Sequence, residues 1–328
     1  MTYAAGQTIL DDEYNIFVTG SAGGTPLDTT DTTNNINALW ATGNSGGVGY
    51  KQASPLAAVS AGATVSATQW ANLLNRISTV ANHQGTSITS ITNPTTGDTI
   101  EALAALQTNL DSVWINRSNA AAVGSNITTG GTQTYATAWG GAGQNQSLDL
   151  RHTITFASEA ALLSFFNCGG RLLHTCSRSG GTASTKNTTW TALATSLGTG
   201  VWTSRATSKT IAGTAYTGFT KIGGSGTNTV YLTGTGVQNL TIGTGFTTSH
   251  KQFSPTSPYT ANAITRYIRR SAVNVIDVWC RFDDDANSNT DESADGTFSS
   301  SITLSQPSTT YLSNVWGTPT MTGQAVTF

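Results

Sequence analysis

Between residues 283 and 295 the chain places Asp283, Asp285, Asn287, Asn289 and Asp291 on alternate positions. Side-chain oxygens at that spacing are the donors with which a loop surrounds Ca²⁺. Against an EF-hand count, Ser288 stands where the turn needs glycine, and Ala294 where a glutamate must ligate. No helical pattern flanks the segment. It therefore reads as a solvated hairpin tip whose six acids (Asp283, Asp284, Asp285, Asp291, Glu292, Asp295) repel weakly through screened water. A basic cluster, Arg266, Arg269 and Arg270, lies nearby in sequence. It reads as independently solvated, with pairing to the acidic segment as the alternative.

Of the four histidines (83, 152, 174, 250), His152 and His174 fall on neighbouring predicted strands. Cys176 shares a strand face with His174, so the three imitate a metal site, but ordinary sheet-face packing is the simpler reading. Cys168, Cys176 and Cys280 lack both disulfide-scaffold and metal-site spacing and are read as free thiols. No nucleophile elbow, Walker motif or dinucleotide fingerprint occurs. Gly169-Gly170 opens a strand rather than a helix, so it cradles no phosphate. Glycoside hydrolysis needs a carboxylate pair, and no Asp or Glu lies between Glu159 and Asp277. The sequence names no catalytic, cofactor-binding or metal-ligating residue, and the chain reads as non-enzymatic with no cofactor.

Composition narrows the classes further. Fifteen basic against 17 acidic residues give no basic patch for nucleic acid. No apolar run reaches membrane-spanning length, and the first twelve residues lack a signal peptide's basic and apolar regions. Only 10% of residues are charged, while 60 are Thr and 35 Gly, which favours strands and turns. Eight Trp, ten Phe and nine Tyr supply material for an ordered core.

Stepping along the chain, Ile9 to Val18 reads as a short element and Ile36 to Trp40 as one helical turn. Gly20 to Asn35 and Ser45 to Tyr50 read as loop. Such a region suits packing on a partner. From Ser66 to His83, Trp70, Leu73, Leu74, Ile77 and Val80 form one helical stripe, with Ser66 or Thr68 as N-cap. A second helix is predicted from Thr99 to Trp114, capped by Asp98 with Glu101 three residues on. Its seam is Ile100, Leu103, Leu106, Leu110 and Val113. The two helices suit a hairpin on their own domain or a small bundle across chains.

After Asn116 the texture is β. Asn126 to Tyr135 reads as loop or edge. Leu148 to Phe156 alternates as a strand, Glu159 to Asn167 is a helix capped by Ser158, and Arg171 to Ser179 is a strand. A second short helix is expected from Thr188 to Leu197 with Asn187 as cap. Short strands follow at Lys209 to Ala215, Gly218 to Ile222, Thr229 to Leu232 and Leu240 to Ile242. Ala272 to Phe282 and Gly296 to Leu304 are expected to form a hairpin across the acidic loop. The fold class is α+β, mainly β: a short helical region, then a β-sandwich-like domain with two short helices.

Three segments resemble tailed-bacteriophage virion proteins. Residues 64–77 (TVSATQWANLLNRI), followed by His83-Gln84 and Asn93 to Asp98, resemble a phage helix of pattern x-Val-x-Ala-x-Gln-Trp-x-x-Leu that precedes His-Gln. Residues 153–172 (TITFASEAALLSFFNCGGRL), then Ser177-Arg-Ser-Gly-Gly and Lys186-Asn-Thr-Thr-Trp, are similar to segments of phage tail and fibre proteins. Asp291 to Phe298 fits the same context. The resemblance spans Thr64 to Leu304; Cys168 stands where that family often has Ala, a core-packing difference. It implies a structural protein of the virion, a tail or neck fibre-like appendage made in the host cytoplasm. Residues 1–65 would be the attachment segment, 66–120 a helical hairpin or neck, and 121–328 a β-rich distal domain. The implied partners are further copies in a homotrimer and other phage tail or neck proteins. The alternative is a lectin-like adhesin for host-surface glycans that stacks sugars on exposed Trp139, Trp202 or Tyr259.

Overall fold

Alternation of Leu148, Leu150, His152 and Ile154 against polar neighbours dictates a strand with one buried face. The computed structural model has that strand, β3 (Gln146–Thr155), following β1 (Val123–Ile127) and the edge strand β2 (Thr132–Tyr135). It describes residues 11–20, 35–41, 49–95, 103–141, 145–225, 228–286 and 292–328. Four helices precede the strands: α1 (Asp11–Thr19), α2 (Ile36–Trp40), α3 (Ala67–Gln84) and α4 (Leu103–Ile115).

Ser66 caps α3 through a reciprocal box with Gln69, and left-handed Gly85 ends it. The α3 stripe of Trp70, Leu73, Leu74, Ile77 and Val80 is buried, as are Leu106, Leu110 and Val113 of α4. All join one apolar cluster with Phe156, Phe165 and Ile302 of the β-domain. The described seam positions Leu106, Leu110 and Val113, offered for a bundle across chains, are thus covered within the chain. The predicted cap Asp98, with Ile100 and Glu101, lies outside the described residues.

The described parts of residues 1–65 also pack on the chain itself rather than waiting for a partner. Tyr14 and Phe17 lie against Trp70, at ring-centroid distances of 6.2 and 6.3 Å. Most of Gly20 to Asn35, and residues 45–48 of the second loop, lie outside the described residues. Three amide side chains tie this polar region down, and a fourth, Asn109, holds the stretch between α3 and α4; each pairs twice with one backbone residue. Asn15 bonds Val59 (2.8 and 2.9 Å) and Asn37 bonds Leu56 (2.8 and 2.9 Å). Gln52 bonds Ser313 (3.2 and 2.8 Å) and Asn109 bonds Thr89 (both 2.8 Å). A carboxamide carries the same donor and acceptor as a peptide unit, so it satisfies irregular backbone where no ladder is available.

Beyond β3 come α5 (Glu159–Asn167), β4 (Arg171–Ser179), α6 (Thr185–Ser196), β5 (Thr199–Trp202), β6 (Ser208–Ile211), β7 (Thr214–Thr217), β8 (Phe219–Ile222) and β9 (Thr229–Leu232). The chain then forms β10 (Thr247–Phe253), β11 (Ala263–Ala272), β12 (Val275–Asp284), β13 (Thr297–Pro307) and β14 (Thr320–Thr327). Ser158 caps α5 as expected. For α6 the cap is Ser184, not Asn187. Asn187 sits inside the first turn, where its side chain is used elsewhere. Lys209 to Ala215 is not one strand: it runs from β6 through a turn at Ala212-Gly213 into β7. Leu240 to Ile242 is not a strand; Ile242 makes a single bridge to Arg270.

Two antiparallel sheets face each other. The first runs β1-β13-β4-β5-β8, with β2 also on β13; the second runs β14-β3-β12-β11-β10-β9. The fold is therefore mainly β, with a sandwich-like C-terminal domain. The expected hairpin between Ala272 to Phe282 and Gly296 to Leu304 does not form. Strand β12 pairs with β11 and β3, while β13 pairs with β4, β1 and β2 in the opposite sheet. The true hairpin joins β11 and β12 through Val273-Asn274, and the acidic segment is a crossover between sheets.

Candidate functional site

Inward-facing positions of the two sheets bring three of the four histidines together around a buried cation. Arg266 of β11 is fully buried and has no carboxylate partner among the described residues. Its Nε donates to His174 Nδ1 (2.8 Å) and its Nη1 to His250 Nδ1 (3.1 Å). Its remaining donors reach the carbonyls of Leu197, His174 and Gly198. A guanidinium only donates, so both Nδ1 atoms must accept and both imidazoles carry their proton on Nε2. His174 Nε2 then donates to Ser300 Oγ at 2.8 Å. The Ser300 proton is left for His152 Nε2, 2.7 Å away in the opposite sheet. His152 ends the relay with a buried, unpartnered Nδ1.

Burial holds these rings neutral. It pushes His152 down to about 4, and burial followed by Arg266 and Lys221 pushes His250 down to about 3. His174 is lowered well below the usual range by burial first, then by Arg266. A serine between two imidazoles has the residue types of a nucleophile and its base. Ser300 is fully buried, however, and its hydroxyl is committed on both sides. What the arrangement does is stitch the two sheets in one register. Cys176 and Cys280 adjoin it: the thiol contact with Cys280 lowers Cys176, and burial raises Cys280. All three cysteines are free. His152, His174 and Cys176 do not form a ligand set, since both ring nitrogens of His174 are already bonded. Among the described residues no group of three His, Cys, Asp or Glu is placed to hold a metal ion.

The acidic segment is anchored at both ends. Asp284 forms a fully buried ion pair with Lys186 of α6 at 2.5 Å, and Lys186 also donates to the Glu292 carbonyl (2.8 Å). Asp295 accepts from Thr182, Asn187 and Arg178, which holds its carboxyl below the usual range, the Thr182 hydroxyl first. Asp283 accepts from Ser147 at 2.8 Å. Asn287, Asn289 and Asp291 of the Ca²⁺ reading lie outside the described residues. The basic cluster does not pair with this segment among the described residues. Arg269 pairs with Asp277 (2.7 Å), Arg270 with Glu159 (2.8 Å), and Arg266 with the histidines.

The aromatics offered for sugar stacking are not on the surface. Trp139 is 4% exposed, Trp202 0% and Tyr259 7%. Trp139 packs on Trp190 and Phe298, and Trp202 on Phe219. Their Gly/Ser/Thr-rich flanks resemble loop tips, but the rings fill the two ends of the sandwich.

The outward face of the second sheet carries a different constellation. The Arg151 guanidinium lies 4.0 Å over the Trp279 ring, the Phe246 ring sits 3.9 Å from that same ring, and Arg269 lies 4.3 Å over Phe246. Asp149 takes bonds from both Arg151 (2.8 Å) and Arg281 (2.6 Å). Asp277 accepts from Arg269 and from Thr153 (2.8 Å). Beside Trp279 the surface sinks into a depression of about 330 Å³ bounded by Arg151, Arg269 and Gln324. The alternation of Asp277, Trp279 and Arg281 on β12 signals an outward row. Its partners come from β3, β11, β14 and the loop before β10, which sequence spacing does not join.

No family model, curated protein or solved structure matches this chain. No helix among the described residues is long and apolar enough to cross a membrane.

Proposed function

We propose that the chain is a structural protein of a tailed-phage virion, a non-enzymatic tail or neck fibre-like appendage. It would assemble in the host cytoplasm and dock through the surface of residues 1–65. The observation that carries this reading is an unguarded sheet edge. Strands β8 and β9 end the two sheets on the same side, and Ile222, Val230, Tyr231 and Leu232 are exposed there. β9 itself holds no charged residue or proline, and no helix among the described residues covers it, which are the usual guards against strand addition. A subunit built to be covered in an assembly needs no such guard, and a homotrimer or a neighbouring tail or neck protein would cover it. The resemblance of residues 64–77 and 153–172 to phage proteins points the same way.

Mass spectrometry of purified particles of the encoding phage tests the reading. Peptides of this chain at structural-protein abundance support it, and their absence from intact particles overturns it. Light scattering of the full chain reads the copy number: a mass near three chains supports the trimer, and a monomer overturns trimerisation outside the particle.

A second reading, a host-surface adhesin, is favoured by the Arg–aromatic face of the second sheet. It no longer rests on Trp139, Trp202 or Tyr259.

A further inference from the structure

Solvated faces of antiparallel sheets are normally polar and featureless to ligands. This one layers two guanidiniums and two aromatic rings, Arg151 on Trp279 and Arg269 on Phe246. The layers hold both cations in place without ligand, so little ordering entropy is lost on binding. Hydrogen-bond capacity then says what fits between them. Arg151 spends Nε and Nη2 on Asp149, leaving Nη1. Arg269 spends Nε on Asp277 and Nη1 on the Thr244 carbonyl, leaving Nη2. The one carboxylate in the depression, Asp277, is already bonded by Thr153 and Arg269. With Arg281 and the Asp149 that it shares with Arg151 counted, three guanidiniums stand over two carboxylates, and the surplus in charge and donors calls for a ligand that brings acceptors and negative charge. A Trp279 edge and the exposed Gln324 amide add an apolar wall and a polar rim.

We propose that this depression binds an anionic saccharide, its carboxylate or sulfate taken by the open Nη1 of Arg151 and Nη2 of Arg269 and its ring lying along the edge of Trp279. The proposal rests on the adhesin reading and names its site. Charge complementarity selects the ligand: a neutral sugar leaves both guanidinium donors without a charged acceptor.

The probe is an alginate oligosaccharide titrated calorimetrically into the full chain at low salt, beside a neutral malto-oligosaccharide of equal length. Alginate is expected to bind, weakening as salt is raised, and the neutral sugar to give no heat. Arg269→Gln is expected to weaken binding about tenfold. Because it also breaks the Asp277 pair, Gln324→Ala at the exposed rim serves as the second variant, with a smaller loss and an unchanged unfolding midpoint. Equal binding of both sugars, no binding of alginate, or wild-type affinity in both variants overturns the site. Adhesion of the same chains to host-cell envelopes separates the two claims. Adhesion that survives both substitutions overturns the site and leaves the adhesin reading standing. An unaltered chain that fails to adhere overturns that reading.

Discussion

Ser300 Oγ in the first sheet lies 2.7 Å from His152 Nε2 in the second, the one side-chain hydroxyl through which the Arg266–His174 relay crosses the sandwich. Replacing it with Ala leaves two buried ring nitrogens without a partner. Ser300→Ala is expected to cost about 1–3 kcal/mol in urea unfolding. A change below a few tenths would mean that the relay contributes nothing to the fold.

Buried histidines inside and outside this relay set an acid limit. His152 and His83 are each pushed down to about 4 in the fold, both by burial first, against 6.5 when unfolded. Above pH 6.5 both states are neutral and the histidines are silent. As pH falls from 6.5 towards 4, the unfolded chain takes up protons that the folded chain refuses. Stability therefore drops by up to about 1.4 kcal/mol per pH unit per histidine, levelling off below 4. Comparing unfolding free energies at pH 7 and pH 5, His152→Gln should lose less than the wild type. An identical pH dependence would show that His152 is not held neutral.

Lys186 and Asp284 present a buried pair whose halves are unequal to their sum. Asp284→Asn takes the carboxylate away from a buried ammonium and is expected to cost about 3–5 kcal/mol. The double change Lys186→Met with Asp284→Leu removes both charges and should recover most of that loss. Chemical denaturation of the two variants decides; a double variant as weak as the single one would sink the argument.

Asn109 makes its two bonds to Thr89 from a nearly buried position. Asn109→Asp exchanges the donor for an oxygen facing the Thr89 carbonyl. The expected loss is about 1–3 kcal/mol, with faster amide exchange at Thr89. Wild-type exchange there would show that the backbone of 86–95 does not depend on the amide.

Gly218 combines a left-handed φ of 58° with close approach to the Gly234 carbonyl, which any Cβ would strike. Gly213 has φ 77° but open space around it. Gly213→Ala should cost only about 1 kcal/mol, while Gly218→Ala should cost clearly more, because backbone rather than a movable side chain blocks it. Thermal midpoints of the two variants rank them directly.

Local elements were legible in the sequence wherever one face is apolar: α3, β3, α5 and β4 follow from periodicity alone. Which sheet a strand joins was not. β12 and β13 alternate alike, and a polar segment between two strands suits a hairpin and a crossover equally well. Ser184 and Asn187 share the same capping propensity, and burial of Asn187 against Asp295 leaves the cap to Ser184. The order of the N-terminal region was hidden for a different reason. Asn15, Asn37 and Gln52 bind backbone, which has no residue type to recognise. The outward Arg–aromatic face was half visible, as the row Asp277, Trp279, Arg281, and needed the register of three other strands to complete it.

Both feet of the acidic crossover are held by neighbouring residues of one helix turn, Asp284 by Lys186 and Asp295 by Asn187. Between those feet, Ala286 is fastened to Asn262 (2.8 Å), and buried Ala294 exchanges both backbone bonds with Trp139 (2.9 and 2.8 Å). A load applied inside the crossover therefore reaches α6 and these anchors before it reaches either sheet. A peptide spliced in after Ala286 should leave the unfolding midpoint where it was, and a fallen midpoint would show that the span itself bears strain.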